Sequence, residues 1–249
     1  MSNEKIIKSF NVKKELNSKF WNDNKKLNPE VRERLLEIAE EFIGFLKVPV
    51  VVDDILFIGS LTNYGWSDYS DIDLHISLDF NQFPKDNLNL YEELFNVKKV
   101  IFNSNHDITI FGYDVELYVE DSNKGSYSNG VYSVLHDKWK IEPKKENVSI
   151  DKEVLRKKVK NWTSKIDTII DNSDVENYEE SIELLDKLKD KLGEYRTSGL
   201  KNKGEFSYEN LVYKYLRRSG HLDKLRNFKN EILDKQLSLF EQMYKLSKK

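Results

Sequence analysis

Two acids suited to metal chemistry, Asp71 and Asp73, lie in the stretch SDIDLHISL. Ile72 and Leu74 alternate with them, which is typical of a strand with one buried face. Residues i and i+2 of a strand share a face, so both carboxylates project to the same side. Such a pair is stabilised by a cation between the two charges, and oxygen ligands favour Mg²⁺ or Mn²⁺.

A second acidic strand is predicted in GYDVELYVED, where acids alternate with valine and leucine. Asp114, Glu116 and Glu120 share its polar face. If this strand neighbours that of Asp71 and Asp73, three carboxylates surround one point and form an oxygen cage for two divalent ions. Two such ions clamp the attacking and leaving oxygens during transfer at phosphorus.

The stretch DDILFIGS predicts a buried strand that ends at Gly59 and Ser60. A short helix after it would offer backbone N–H groups, the Ser60 hydroxyl and a helix N-terminus to an anion, with no side chain at the glycine in the way. Alone, a Gly-Ser pair is usually a turn and an Asp-x-Asp pair usually a solvated strand face. Their order along the chain and the third acidic strand favour a metal and phosphate site.

These residues resemble the DNA polymerase beta nucleotidyltransferase superfamily, whose pattern is an apolar residue, Gly-Gly or Gly-Ser, a spacer, and two acids alternating with apolar residues. The stretches GSLTNYGWSDYSDIDLHI, YDVELYVED, GVYSV and ENLVYKYLRRSGHL are also similar to a group of phage-encoded predicted nucleotidyltransferases. The resemblance implies a polymerase beta-like mixed sheet with flanking helices, an α+β fold, and a C-terminal helical domain.

By this resemblance, Gly59, Ser60 and Ser70 bind the nucleoside triphosphate, for example ATP, and Asp71, Asp73 and a third acid ligate two Mg²⁺ or Mn²⁺ ions. We favour Glu116 as that third ligand, although the superfamily often has Asp there and Asp114 is the alternative. His75 follows on the same strand face, and we expect a hydrogen-bonded supporting or surface role for it.

The segment SYENLVYKYLRRSGHL places Arg217 and Arg218 about one helical turn after Lys214, as a positive edge toward a triphosphate. A solvated basic face of an amphipathic helix is the alternative for each of them. The stretch YRTSGLKNKGEF offers a second basic patch for an acceptor, or a plain surface loop. SYSNGVYSVLHDKW, residues 126–139, either lines the nucleotide pocket or forms an edge strand and turn.

Hydrophobic spacing predicts a helix over residues 28–48, with Asn28 and Pro29 at its start. Further strands and one helix follow up to about residue 142, with a tight turn at 111–113. From about residue 148 the pattern is helical, with breaks at 171–178, 196–205 and 219–221. We therefore predict a catalytic domain over 1–147 that includes the N-terminal helix, and a helical domain over 148–249.

Composition excludes several kinds of site. The 249 residues include no cysteine and four histidines, which rules out disulfides and thiolate metal sites and disfavours a histidine-rich zinc site. The net charge of −3 disfavours a protein that coats nucleic acid. No stretch resembles a signal peptide or membrane span, so we expect a cytoplasmic protein, in the host cytoplasm if phage-encoded, that does not bind membranes.

The predicted reaction transfers a nucleoside monophosphate from a nucleoside triphosphate to an acceptor hydroxyl, with release of pyrophosphate. By resemblance to tRNA-modifying members, the 3′ end of an RNA such as tRNA is the favoured acceptor. A protein hydroxyl and an aminoglycoside-like small molecule are also compatible with the core. Synthesis of cyclic or linear oligonucleotides is an alternative. A catalytically silent nucleotide- or RNA-binding module is another, as is an interaction protein that uses the fold as a scaffold.

Overall fold

The computed structural model describes residues 3–125, 128–145, 148–173 and 178–238. They form two compact units. Asn11–Val148 is the sheet unit, and the described residues before and after it are the helical unit. The predicted boundary differs from this division at the N-terminus, because residues 3–10 group with the helical unit and not with the sheet.

The sheet unit contains six strands and two long helices. Their order along the chain is α2 (Pro29–Leu46), β1 (Val52–Ile58), β2 (Ile72–Leu78), α3 (Leu88–Asn105), β3 (Thr109–Ile110), β4 (Tyr113–Asp121), β5 (Val131–Ser133) and β6 (Lys138–Ile141). The first helix of the chain, α1 (Asn3–Ser9), belongs to the helical unit. The strands form one mixed sheet in the order β3-β4-β2-β1-β5-β6, which confirms the α+β class.

One face of this sheet packs on α2 and α3. The apolar positions at helical spacing in α2 are all buried: Val31, Leu35, Ile38, Ala39, Phe42 and Leu46. They belong to one buried core with alternate residues of the central strands, including Phe57, Leu74 and Leu117. The alternation of strand side chains leaves Asp73, His75, Glu116 and Tyr118 on the opposite face. The buried core therefore fixes which side of the sheet carries the acids.

Strand pairing brings distant parts of the chain together. β2 runs antiparallel to β1 and parallel to β4, and α3 connects β2 to the hairpin of β3 and β4. In the hairpin, Phe111 and Gly112 both have positive φ angles, of 54° and 82°, as a two-residue type I′ turn requires. The tight turn predicted at 111–113 is confirmed.

The helical unit consists of α1, α4 (Lys152–Asn172), α5 (Tyr178–Lys203), α6 (Tyr208–Arg218) and α7 (His221–Leu237). The predicted break at 219–221 is confirmed. Of the predicted break at 171–178, residues 174–177 lie outside the described residues. The break predicted at 196–205 is wrong for 196–203, which continue α5 as helix.

Residues 128–139 include β5, which pairs with β1 on one side and β6 on the other. Of the two alternatives for this segment, the structure shows strand and turn: β5 is an inner strand, and the edge strand β6 begins within the segment at Lys138. Ser126 and Tyr127 of the same predicted segment lie outside the described residues.

In the described ranges, no helix combines the length and hydropathy that crossing a membrane requires.

Candidate active site

The three predicted carboxylates converge. Asp71, Asp73 and Glu116 each present one ligand oxygen, and these oxygens all lie within 4.8 Å of one another. All three residues are partly buried. Within the described ranges, they form the single group of three or more acidic or histidine residues that approach so closely.

The register of two strands produces this cluster. In the parallel pair, Asp73 is the partner of Glu116, so their carboxylates lie side by side on the polar face. Asp71 precedes β2 and shares the side of Asp73. Asp114 lies before the part of β4 that pairs with β2, is exposed, and is not part of the cluster. Glu116 is therefore the third acid.

The donor set of this cluster fits a hard divalent cation. Its three members offer only carboxylate oxygens, and neither thiolate nor imidazole belongs to it. Mg²⁺ and Mn²⁺ prefer such oxygen ligands, and Mg²⁺ sites commonly use only a few carboxylates beside water and substrate phosphates. The cluster can thus hold a metal ion.

Gly59 lies directly against this cluster. Its φ of 89° and ψ of −162° place it in a region that is essentially confined to glycine. A Cβ atom added there would lie 2.1 Å from Oδ2 of Asp73. The pairing of Ile58 with Asp73 explains this proximity, because it brings the end of β1 to the start of β2. Any side chain at position 59 would displace a candidate metal ligand.

The loop after Gly59 is held by hydrogen bonds to its carbonyl oxygen. Thr62 donates to it through its hydroxyl at 2.8 Å, and Asn63 donates through its amide at 3.0 Å. The Thr62 hydroxyl also lies 2.8 Å from the carbonyl oxygen of Gly130. The Gly59 N–H donates to Ser128 Oγ at 3.4 Å. The segment before β5 therefore borders the Gly59 loop.

The two serines predicted to bind nucleotide lie together. The hydroxyl oxygens of Ser60 and Ser70 are 2.7 Å apart, and both residues are buried. The Ser70 hydroxyl also accepts the N–H of Ser67 at 3.0 Å. Ser60 begins only a single 3₁₀ turn, Ser60–Thr62, so the predicted helix N-terminus is too short to supply a substantial dipole.

Tyr118 is the functional candidate that the sequence did not single out. Its hydroxyl donates a hydrogen bond to Oε2 of Glu116. Burial, the hydrogen bond to Glu116 and the neighbouring carboxylates raise the pKa of Tyr118, so its hydroxyl remains protonated and continues to donate. The Lys99 ammonium lies 4.8 Å from the centre of its ring. Alternation placed Tyr118 on the acidic face, but nothing in the sequence indicated this bond.

His75 supports the same part of the sheet. Its ring stacks on that of Tyr118 at 4.7 Å, and its Nδ1 lies 2.6 Å from Oε2 of Glu120. These contacts match the hydrogen-bonded role predicted for His75. It is not a member of the carboxylate cluster.

Asn103 of α3 braces the strand that carries Glu116. Its side-chain amide donates to the carbonyl oxygen of Leu117 at 3.0 Å and accepts the N–H of Leu117 at 3.1 Å. The short strand β3 pairs only with Tyr113 and Asp114, so it does not reach Leu117. Asn103 thus replaces a neighbouring strand at this position.

The three basic residues predicted to contact phosphate have different surroundings within the helical unit. Lys214 is paired with Glu205 at 2.6 Å, and both side chains are largely buried. Arg218 donates to Ser9 Oγ at 2.9 Å and lies over the Phe10 ring. Arg217 lines a cavity of about 890 Å³ bordered by α5, α6 and α7. Their contact with phosphate stays a prediction.

Comparison with known proteins identifies no relative. No protein-family model, no curated protein and no solved structure matches the chain. We therefore base the assignment of function on the carboxylate cluster and its surroundings.

Proposed function

We propose that this chain is a metal-dependent nucleotidyltransferase with a polymerase beta-like fold. The observation that carries the proposal is the convergence of Asp71, Asp73 and Glu116 beside Gly59. A scaffold protein does not need three mutually repelling carboxylates beside a glycine that ends a strand. Their combination favours chemistry on a metal-bound phosphate.

Asp71, Asp73 and Glu116 would hold the metal, as two Mg²⁺ or Mn²⁺ ions. When bound, the ions neutralise charge on the triphosphate and lower the pKa of the attacking hydroxyl. The acceptor oxygen forms a bond to the α-phosphorus, the bond from that phosphorus to the bridging oxygen breaks, and pyrophosphate leaves.

The protein's own part is positioning and electrostatics. Gly59 lets the Asp73 carboxylate lie directly against the backbone of the turn, because a Cβ atom there would lie 2.1 Å from Oδ2. Tyr118 orients Glu116 through its hydrogen bond. Asp73 and Glu116 are the candidates for accepting the proton of the acceptor hydroxyl, because they lie on neighbouring strands at the cluster.

An RNA 3′ end such as that of tRNA remains the favoured acceptor by the resemblance. The α-phosphate of the nucleotide and the identity of the acceptor can be followed together. We would incubate the protein with each nucleoside triphosphate, radiolabelled at the α-phosphate, with Mg²⁺ or Mn²⁺ and with or without RNA. Label transfer and pyrophosphate release would be measured in parallel.

The test compares the wild type with the double variant Asp71→Asn plus Asp73→Asn. Asp114→Asn is the matched control, because Asp114 is an exposed acid on the same strand as Glu116 but outside the cluster. We expect the double variant to lose at least about 100-fold in rate and the control to retain the wild-type rate. Triphosphate binding without any pyrophosphate release would instead indicate a silent binding module.

A further inference from the structure

A groove in the helical unit is lined by three lysines, three neutral polar side chains and the apolar Ile169 and Leu188. It lies between α4 and α5, has a volume of about 590 Å³, and is separate from the cavity that Arg217 lines. We call it the basic groove and define it by its charged members, Lys165, Lys187 and Lys191. Among the described residues that line it, none is acidic.

Neutral hydrogen-bonding groups accompany these lysines. Asn161, Ser164 and Thr168 line the α4 side of the basic groove, and all three are exposed. Lys157 lies one turn before Asn161 and is also exposed, so it continues the same face of α4. The α4 side therefore presents a line of amide, hydroxyl and ammonium groups over several helical turns.

Lys165 and Lys187 make only weak contacts with other side chains, and Lys191 is exposed. Lys187 pairs with Glu183, but both side chains are about two-thirds exposed, and such pairs stabilise little. The Lys165 ammonium lies 5.4 Å from the centre of the Trp162 ring. A phosphate can therefore replace water or Glu183 around these ammonium groups with little loss of stabilising free energy.

The composition of the basic groove fits an extended anion better than an acidic protein surface. Lysine binds phosphate as a point charge, so it can contact an extended row of phosphates without a fixed geometry. Protein interfaces rely on aromatic and arginine anchors, and neither lines this groove. Serine, threonine and asparagine beside lysine are the typical donors to the phosphate oxygens of nucleic acid.

We propose that the basic groove binds the sugar-phosphate backbone of a single nucleic-acid strand. This assignment deepens the proposed function, and it rests on that function only for the further step that the bound strand is the acceptor. Backbone binding by itself depends on the lysines and hydroxyls of α4 and α5. Such contacts provide affinity with little sequence preference.

The test is a binding titration, followed by fluorescence anisotropy, with a labelled uridine oligonucleotide and its deoxythymidine counterpart at several salt concentrations. The groove variant combines Lys165→Gln, Lys187→Gln and Lys191→Gln. We expect it to bind at least about tenfold more weakly, and the slope of log affinity against log salt to fall in magnitude by about 2, because three contacts are lost. Equal binding of RNA and DNA supports backbone recognition, and preference for RNA adds contact with the 2′-hydroxyl.

A matched control removes the same charge elsewhere in the helical unit. Lys5→Gln, Lys8→Gln and Lys152→Gln change three lysines on α1 and at the start of α4, none of which lines the basic groove. An equal loss in this control would overturn the proposal, because total charge would then explain binding. Unchanged binding by the groove variant, or no binding by the wild type, would overturn it as well. So would binding of labelled polyglutamate, but not of the oligonucleotides, that depends on the groove lysines.

Oligonucleotide binding by the basic groove and metal binding by the carboxylate cluster can be tested separately. The double variant Asp71→Asn plus Asp73→Asn is expected to bind the oligonucleotides like the wild type. The groove variant is expected to bind Mn²⁺ like the wild type. Loss of oligonucleotide binding in the groove variant alone supports the basic groove even if no nucleotide transfer is found.

Discussion

Tyr118 donates a hydrogen bond to one of the two carboxylate oxygens of Glu116. The hydroxyl of Tyr118 donates to Oε2, while the ring packs on His75 and lies near Lys99. A long, flexible glutamate gains a defined orientation from this bond. Tyr118 is therefore a positioning residue for the carboxylate cluster.

Tyr118→Phe keeps the ring and removes the donor. We expect Mn²⁺ affinity to fall by about 10-fold to 100-fold, the usual effect of losing a partner behind a metal ligand. The raised pKa of Tyr118 predicts that this difference persists across neutral pH. Titration calorimetry measures the affinity. Tyr91→Phe is the control, since Tyr91 stacks on Phe83 and is not part of the cluster. Equal Mn²⁺ affinity of the two variants would refute the positioning role.

Gly59→Ala tests the close approach to Asp73. A methyl group 2.1 Å from Oδ2 must move the carboxylate, so we expect Mn²⁺ binding to be lost. The backbone conformation should also cost about 1–3 kcal/mol of unfolding free energy. Calorimetry and denaturant unfolding measure these two effects.

Gly112→Ala is the matched control for Gly59→Ala. It also has positive φ, of 82°, but no atom within 4 Å of its added Cβ. We expect it to be destabilised and to retain Mn²⁺ binding. Retained Mn²⁺ affinity in Gly59→Ala would show that Asp73 tolerates displacement or is not a ligand.

At the scale of the element, strand identity was predictable and strand register was not. The alternation of acids with valine, leucine and isoleucine predicts β2 and β4 and the face that carries the acids. Choosing Glu116 over Asp114 requires the pairing of Asp73 with Glu116, which depends on how α3 and the hairpin return the chain to the sheet. The local sequence of each strand does not determine that register.

Gly199 illustrates a second limit of the sequence patterns. The sequence RTSGLKNKGE reads as a break, yet α5 continues to Lys203. Gly199 is buried, and a Cβ atom there would lie 2.5 Å from Cβ of Glu209 and 2.7 Å from the Ser207 hydroxyl. The glycine thus permits close packing of α5 against the start of α6, and tertiary packing overrides its weak helix propensity.

Asn103→Ala tests how α3 supports β4. The variant leaves both backbone groups of the buried Leu117 without their partner, so we expect a loss of about 1–3 kcal/mol in unfolding free energy. Urea denaturation measures it. Asn105→Ala, at an exposed position two residues along the same helix, should change stability far less. Equal stability of the two variants would contradict the bracing role.

At the scale of the whole molecule, the N-terminus belongs to the helical unit. Ile6 and Ile7 of α1 are buried, and Arg156 of α4 donates to Oε1 of Glu4 at 2.7 Å. The charged, lysine-rich N-terminal sequence did not indicate this long-range association. The burial of Ile6 and Ile7 and the Arg156–Glu4 pair reveal it.

Ile6→Ala should destabilise one unit selectively. Removing a buried isoleucine costs about 2–5 kcal/mol, and the loss should appear where α1 packs. We expect hydrogen exchange to accelerate in α4 and α6 and to remain unchanged in β1, β2 and β4. Lys5→Ala, at an exposed position of α1, is the control. Uniform acceleration across both units would contradict independent stability of the two units.

The most direct test of the central claim is anomalous scattering from Mn²⁺ in crystals grown with a non-hydrolysable nucleoside triphosphate. We predict Mn²⁺ peaks bound by Asp71, Asp73 and Glu116, with phosphate oxygens of the nucleotide completing the coordination next to Gly59. Manganese absent from this cluster while the nucleotide is bound elsewhere would contradict the account, because the three carboxylates would then not hold the metal for transfer at phosphorus.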